Sequence, residues 1–359
     1  MRSCPSSRRN PLVLLAVGAL AAVLALPGPA AVGSAAAAVA SAAQLQTVRF
    51  GSTQSLSDAG VFIGRERGYF REQGIDVEYV PFQSGPDTMV PLASGDLEVG
   101  SGNFGIVWLN AVERGIGIKA VADKGSARPG FEFVQVPLRR DLVESGQVRT
   151  PADLRGRRIG MSVLRSGGEA LVADILARGG LTPDDVDLVA LGYPEMLAGL
   201  ANHALDAAVL IEPSLSAAVA RGLVSTWEPG YGSTAFGGAY QASLVFYSGQ
   251  FAAQTDLAQR FMVAYLKGVR AYNDAFLKGE GRADAVRILT ETTAVKDPAV
   301  YDQMQMAGLD PDGRINEQSL EREVSYYRAR GYYSGPVTPD QVIDPSFAAY
   351  AAQQLGPYR

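Results

Sequence analysis

The sequence predicts an α/β protein of two lobes, with the second lobe inserted in the first. Strand-like runs alternate with helical runs, the pattern of a mostly parallel sheet with right-handed crossovers. The alternation occurs twice, once before residue 131 and again from residue 151 to 222. Two extended apolar segments, "FEFVQVPLRRDLV" and "YQASLVFYS", bracket the second series and read as strands that cross between the lobes. The expected boundaries are 44–138 and 243–359 for the first lobe and 139–242 for the second.

The N-terminus reads as an export signal. Arg2, Arg8 and Arg9 precede the apolar run "PLVLLAVGALAAVLAL", and small residues end at "SAAQ", which puts cleavage near Ala43. The run is too short and alanine-rich to favour a membrane span. "SRRNPL" faintly resembles a twin-arginine signal, but Pro11 stands where that pattern prefers an apolar residue, so general export is expected.

After the signal come a strand at "TVRFGST", a helix at "DAGVFIGRERGYF" and a strand at "IDVEYVPF". Gly74 stops that helix as a C′ glycine, and Ile75, Val77 and Tyr79 alternate with Asp76, Glu78 and Val80, as on a half-buried strand. Tyr69 and Phe70 are expected to pack the helix on the sheet, while the strand delivers Gln83 and Ser84 to its C-terminal edge. A helix "PDTMVPLASG", a short strand "LEVGS", a helix "FGIVWLNAVERG" and a strand "IKAVADKG" complete this series. The second series runs "PADLRGRRIGMSV" (strand), "GGEALVADILARGG" (helix), "VDLVALG" (strand), "PEMLAGLANHA" (helix), "DAAVLIEP" (strand) and "SLSAAVARG" (helix). Beyond residue 248 the chain is mainly helical, with "TDLAQRFMVAYLKGVRAYNDAFL" the longest amphipathic stretch.

Of 359 residues, 47% are hydrophobic and 19% charged, enough to bury a sizeable core. Without residues 1–43 the chain holds 29 basic and 37 acidic residues, a net charge of −8. That balance argues against nucleic acid and anionic membranes as partners. Cys4, the only cysteine, lies in the signal, so the exported chain has no disulfide, thiolate metal site or Cys nucleophile. A soluble exported protein is expected.

"GSGNFG" (100–105) formally matches G-x-G-x-x-G between a strand and a helix. The preceding strand is very short and carries Glu98, and an exported protein meets no free nicotinamide pool. A small-residue turn is the better reading, with Ser101, Asn103 and the free N–H groups of the helix start suited to a small anion or carbonyl. "SVLRSGGEALV" (162–172) repeats this arrangement in the second lobe. There Ser166 suits an N-cap, Gly167 and Gly168 allow close approach, and Arg165 reads equally as a bidentate clamp on an anion or a solvated surface residue. "VLIEP" ends in Glu212 at a strand's C-terminal edge, where it either meets a ligand or caps the following helix. His203 is the only histidine and reads as a surface helix residue. "TPDDVD" and "LDPDGRINEQ" lack EF-hand spacing and read as turns and caps. With no G-x-S-x-G and no His–carboxylate cluster, catalytic machinery is not visible.

Taken in order, "GYFREQGIDVEYVPFQSG", "LASGDLEVG", "DLRGRRIGMSVLRSGGEALVADILARGGLTPDDVDLV", "ALDAAVLIEP" and "VIDPSFAAYAAQQLG" resemble the periplasmic substrate-binding proteins of ABC importers. The group resembled is the nitrate/sulfonate/taurine and thiamine-pyrimidine-precursor type. The resemblance spans nearly the whole exported chain. It implies a type II periplasmic-binding-protein fold, with ligand held between hinged lobes. The ligand-contacting residues it implies are Thr53, Gln54, Ser55 and Ser57 after the first strand, Gln83 after the second, and Ser101, Gly102 and Asn103 after the third. In the second lobe they are Arg165, Ser166, Gly167, Gly168, Glu195, Met196 and Glu212. The chain departs from the pattern at His203, where a glycine is common.

Two helix N-termini, serines, Asn103 and Arg165 favour a small organic anion, a sulfonate or carboxylate. The alternative is a pyrimidine or other aromatic heterocycle held between Phe104, Trp108 or Tyr193 and Glu212. An enzyme on this scaffold is disfavoured by the missing cysteine and the isolated His203. The expectation is therefore a monomeric, cofactor-free binding protein outside the cytoplasm, partnered by a membrane permease and its ATPase.

Overall fold

The computed structural model describes residues 45–359 apart from Ala294; the predicted export signal lies outside them. Twelve strands occur among the described residues. In the first series they are β1 (Gln46–Ser52), β2 (Ile75–Pro81), β3 (Val99–Gly102) and β4 (Lys119–Ala127). Then come β5 (Val134–Gln135), β6 (Leu138–Arg139), β7 (Arg158–Met161), β8 (Asp187–Ala190), β9 (Ala207–Ala208), β10 (Leu210–Ile211) and β11 (Val224–Ser225). The chain returns through β12 (Tyr240–Tyr247).

Two five-stranded sheets result, with orders β2-β1-β3-β12-β4 and β11-β6-β9-β7-β8. In the first, β1 runs parallel to β2 over seven pairs from Gln46↔Ile75 to Ser52↔Pro81, and β12 is antiparallel to both β3 and β4. In the second, β7 is parallel to β8 and β9. A small antiparallel pair joins β5, which follows β4, to β10, which follows β9. The chain passes from the first sheet to the second after β4 and returns into β12, so two lobes are joined by two crossings, as the fold class required.

Apolar alternation explains the first lobe. Val48 and Phe50 of β1, Ile75 and Val77 of β2 and Val99 of β3 are all at most 1% exposed. Helix Thr255–Asn273 lays Phe261, Tyr265 and Val269 on the same core, and helix Ala59–Glu66 packs beside it. Phe70 is buried against Phe261 with ring centroids 4.9 Å apart, the packing role expected of it. A second cluster stacks Trp108 on Phe246 at 3.8 Å and adds Leu320, Val324 and Tyr327 from helix Glu317–Ala329.

Several elements differ from the sequence reading; the strand expected over 206–213 splits into β9 and β10, which pair in different sheets. The helix expected over 58–70 is broken at Gly68, whose φ of 78° starts a second turn, Tyr69–Glu72. The stretch expected as one strand at "PADLRGRRIGMSV" opens with a 3₁₀ turn, Pro151–Leu154, closed by a capping box from Thr150 and Asp153, and only Arg158–Met161 is strand. The extended run over 131–143 ends early, because Arg140–Glu144 turns helical.

Candidate functional site

The parallel strands of both sheets end at one cleft of about 320 Å³. This is where open α/β sheets place ligands, because the turns there expose backbone groups that the ladders no longer pair. From the first lobe it is lined by Thr53, Gln54, Ser55 and Ser57 after β1, by Phe82 to Gly85 after β2, and by Gly102 and Asn103 after β3. The second lobe adds Met161, Ser162, Val163, Ser166 and Gly168 after β7, and Tyr193 after β8. The crossing segments add Phe133, Val134, Tyr240, Ala242 and Ser243. Among the described residues no Asp, Glu, Lys or Arg lines it. A larger hollow of about 430 Å³ lies between residues 312–317 and the C-terminal helix, within the first lobe and away from these strand ends.

The β1 loop is the polar floor. Ser52 Oγ donates to Asp58 Oδ2 at 2.8 Å and accepts the Gln54 amide at 2.9 Å, which holds Gln54 in the left-handed region with φ 53°. A non-glycine residue there carries strain of about 1 kcal/mol or more, a cost typical of ligand-binding turns. Beneath it Lys124, 1% exposed, pairs with Asp58 Oδ1 at 2.5 Å and donates to Ser57 Oγ at 2.7 Å. The neighbouring Asp123 accepts from the Gln241 side chain and from the amides of Gly125 and Asp310. Burial raises its carboxyl to about 6 against those three donors.

Opposite the floor, helix Gly167–Arg178 points its N-terminus at the cleft behind Ser166, which holds the N-cap position in extended conformation without a side-chain cap, its Oγ donating to the Val163 carbonyl at 2.6 Å. The Gly167 and Gly168 N–H groups have no partner inside the helix, whereas Glu169 and Ala170 donate to the Ser166 carbonyl, so the first two and the helix dipole favour an acceptor group there. The lobes meet on this side. Gly105 and Ser166 form a bridge, Tyr326 Oη donates to Glu169 Oε1 at 2.7 Å, and Arg330 pairs with both oxygens of Asp184 at 2.7 Å. Glu323 lies fully buried in this contact, and burial holds its carboxyl well above the usual range despite a bond from Tyr327 Oη.

Of the residues singled out from sequence, the cleft gathers Thr53, Gln54, Ser55, Ser57, Gln83, Gly102, Asn103, Ser166 and Gly168. The others stand elsewhere. Ser101 is fully buried and donates to the Gly51 carbonyl at 2.7 Å, tying β3 to β1. Gly167 faces Tyr240 and Glu323 rather than the cavity. Arg165 is exposed with its guanidinium 5.0 Å from the Tyr332 ring centroid, and it is not among the residues that line the cleft. Glu195 is exposed beside Gly192, and Met196 is core, fully buried under Gly160 and Leu200.

Glu212 lies behind the cleft and caps the next helix, accepting from Ser216 N and Oγ and from the Gln305 amide at 2.9–3.0 Å. Burial raises its carboxyl, and those bonds oppose the shift. Phe104 and Trp108 are 1% exposed core residues. His203 has φ 64° and an exposed ring near Asp141, which explains why a glycine suits that position.

The residues sequence reasoning missed are the apolar wall, above all Phe82, Phe133 and Tyr240, and the Lys124–Asp58 pair. Phe133 and Tyr240 belong to the two segments recognised as crossing strands, so a place between the lobes was implied for them. Nothing in the local sequence distinguishes Lys124 from a surface lysine.

A family description of NMT1/THI5-like proteins matches residues 56–274. A Brucella abortus (strain 2308) protein named as a binding protein is 26% identical over 155 residues, 42% of this chain and 43% of its own length. The chain thus covers less than half of that relative.

Among solved structures, the alkanesulfonate-binding protein SsuA of Xanthomonas axonopodis pv. citri bound to MOPS superposes with a TM-score of 0.64. It is 19% identical, over 83% of this chain and 98% of that one. The periplasmic nitrate-binding protein NrtA of Synechocystis PCC 6803 gives 0.66 at 15% identity, over 87% and 89%. The desulfurization enzyme DszB gives 0.59 at 18% identity, over 87% and 100%. Identities this low speak to the fold, and most of these neighbours are binding proteins. The chain belongs to the NMT1/THI5-like family and has the type II periplasmic-binding-protein fold.

Proposed function

We propose that the protein is the solute-binding component of an ABC importer, capturing a small organic anion of the sulfonate or carboxylate class between its lobes. The observation that carries this reading is the cleft itself, with hydroxyls on its floor, a helix N-terminus opposite them and an apolar wall, and no charged side chain lining it among the described residues. A single anionic head can be held by such donors alone, each charge-assisted hydrogen bond contributing about 1.5–3 kcal/mol. A micromolar complex needs about 8 kcal/mol in total. Burying a second charge in the apolar part would cost several kcal/mol.

On this reading residues 1–43 are a cleaved export signal. The lobes are 44–138 with 243–359, and 139–242. The monomer delivers its ligand to a permease and ATPase outside the cytoplasm. No helix among the described residues is long and apolar enough to cross a membrane, which accords with that picture.

A second ligand class has its own support, since Phe82, Phe133, Tyr193 and Tyr240 could stack an aromatic heterocycle. An enzyme reading draws on the likeness to DszB, but His203 lies outside the cleft lining and no cysteine occurs after residue 4. A thermal-shift screen of aliphatic and aromatic sulfonates, aromatic carboxylates, nitrate and pyrimidines tests these readings. At a hundredfold excess over Kd a ligand stabilises by about 2.7 kcal/mol, a shift of several degrees. Shifts from pyrimidines alone would refute the anion reading, and turnover of a bound compound would refute a purely binding role.

A further inference from the structure

Among the described residues no charged side chain lines the cleft, yet a cation stands one hydroxyl behind its floor. Lys124 Nζ donates to Ser57 Oγ at 2.7 Å. An ammonium has donors only, so Ser57 must accept there and send its own proton elsewhere. Among the described residues its other polar neighbour is Ser55 Oγ, at 2.8 Å. Thr53 Oγ1 donates to that same Ser55 oxygen at 3.2 Å. Sent to Ser55, the Ser57 proton fills the lone pair beside the one Thr53 occupies and leaves the Ser55 proton without an acceptor among the described residues. Ser55 is half-buried and lines the cleft.

From this geometry we infer that Lys124 is a specificity-determining residue that never touches the ligand. It sets the proton order of the chain Lys124–Ser57–Ser55, so Ser55 presents an O–H donor and no free lone pair to the cleft. Without the cation each hydroxyl could rotate and serve either role, and the floor would accept donor and acceptor heads alike.

Asp58 completes the device. It neutralises Lys124, so the buried charge remains tolerable, and its second oxygen accepts from Ser52, which holds the Gln54 turn in place. The head group selected is therefore acceptor-only, such as a carboxylate or sulfonate; an ammonium head is rejected, and an amide, which trades one oxygen acceptor for a donor, is disfavoured. Leaving an N–H₂ donor facing the Ser55 O–H would bury two donors against each other. This inference rests on the proposed reading of the cleft as an organic-anion site.

The experiment titrates the full chain, by calorimetry, with two probe pairs: benzoate against benzamide, and benzenesulfonate against benzenesulfonamide. Wild type is expected to prefer the acid of each pair by about tenfold or more, the worth of one charge-assisted hydrogen bond. Ser57→Ala cuts the chain but leaves the ion pair, and should bring the acid-to-amide ratio within about threefold. The paired variant Lys124→Met/Asp58→Asn removes both charges together and should relax the ratio equally. Should that double variant fail to fold, Ser57→Ala alone decides. An unchanged ratio in Ser57→Ala overturns the inference and leaves the anion reading intact. A wild-type protein that binds neither acid overturns the anion reading and this inference with it.

Discussion

Gly167→Ala offers the sharpest probe of closure. A Cβ on Gly167 would stand 2.6 Å from Tyr240 Oη, 2.7 Å from Glu323 Oε2 and 2.9 Å from Glu323 Cδ. Ordinary contacts lie at 3.4–4 Å, so each overlaps by half an ångström or more. Neither neighbour can step aside cheaply. Glu323 is fully buried, and Tyr240 is 3% exposed and packed edge-on to Phe236 at 5.0 Å. Overpacking of this kind costs about 1–3 kcal/mol.

On the proposed lobe division Gly167 belongs to the second lobe and Glu323 to a helix of the first, so opening the cleft relieves the contacts with Glu323. The cost then falls on the closed, ligand-holding state, and affinity should drop about 5- to 150-fold. The assay is calorimetric titration with the tightest compound from the screen, beside the melting temperature of the ligand-free protein. Wild-type affinity in the variant would refute the reasoning outright. A lowered melting temperature with unchanged affinity would show that the contact is permanent and takes no part in closure.

Lys124→Met leaves Asp58 buried without its counter-ion and should cost about 3–5 kcal/mol in urea unfolding, most of it recovered in Lys124→Met/Asp58→Asn. A loss under about 1 kcal/mol would mean that the pair is worth no more than an exposed one. Glu323→Gln tests the buried acid. Burial raises the folded carboxyl above its usual value of 4.5, so the stability it lends is full below that value and declines as pH rises through the folded one. The variant should therefore melt at or above wild type at pH 8 and lose that decline; a steeper decline in the variant would contradict the assignment. Arg165→Ala should leave ligand affinity within about twofold, because its guanidinium lies over Tyr332 and the residue does not line the cleft. A tenfold loss would restore the anion clamp that the sequence suggests.

Much of the architecture was legible in the chain because periodicity is local. Alternation in "IDVEYVPF" appears as β2, the crossing segment "YQASLVFYS" as β12, and the glycine-bounded turns fall at strand ends. Nine of the singled-out residues line the cleft for the same reason, since they follow parallel strands whose C-terminal edges converge. Glu212 and Met196 also follow strands or open helices, yet one caps Ser216 and the other fills the core beneath Gly160. Strand-end position brings a residue near the cleft; the direction of its side chain depends on neighbours that the local pattern does not contain.

By itself the sequence determined the α/β class, the order of elements, the strand-end loops that build a cleft, and the absence of cysteine chemistry after residue 4. Each follows from short-range periodicity, turn residues or a count. Only the tertiary structure decided that Arg165 stays out of the cleft lining, that Phe133 and Tyr240 wall the cavity, and that Lys124 lies buried behind Ser57. Those outcomes rest on pairings such as Lys124 with Asp58, 66 residues apart, and Tyr326 with Glu169, 157 apart. A contact between residues so distant in the chain is set by how the sheets stack and cross, and no local pattern encodes it.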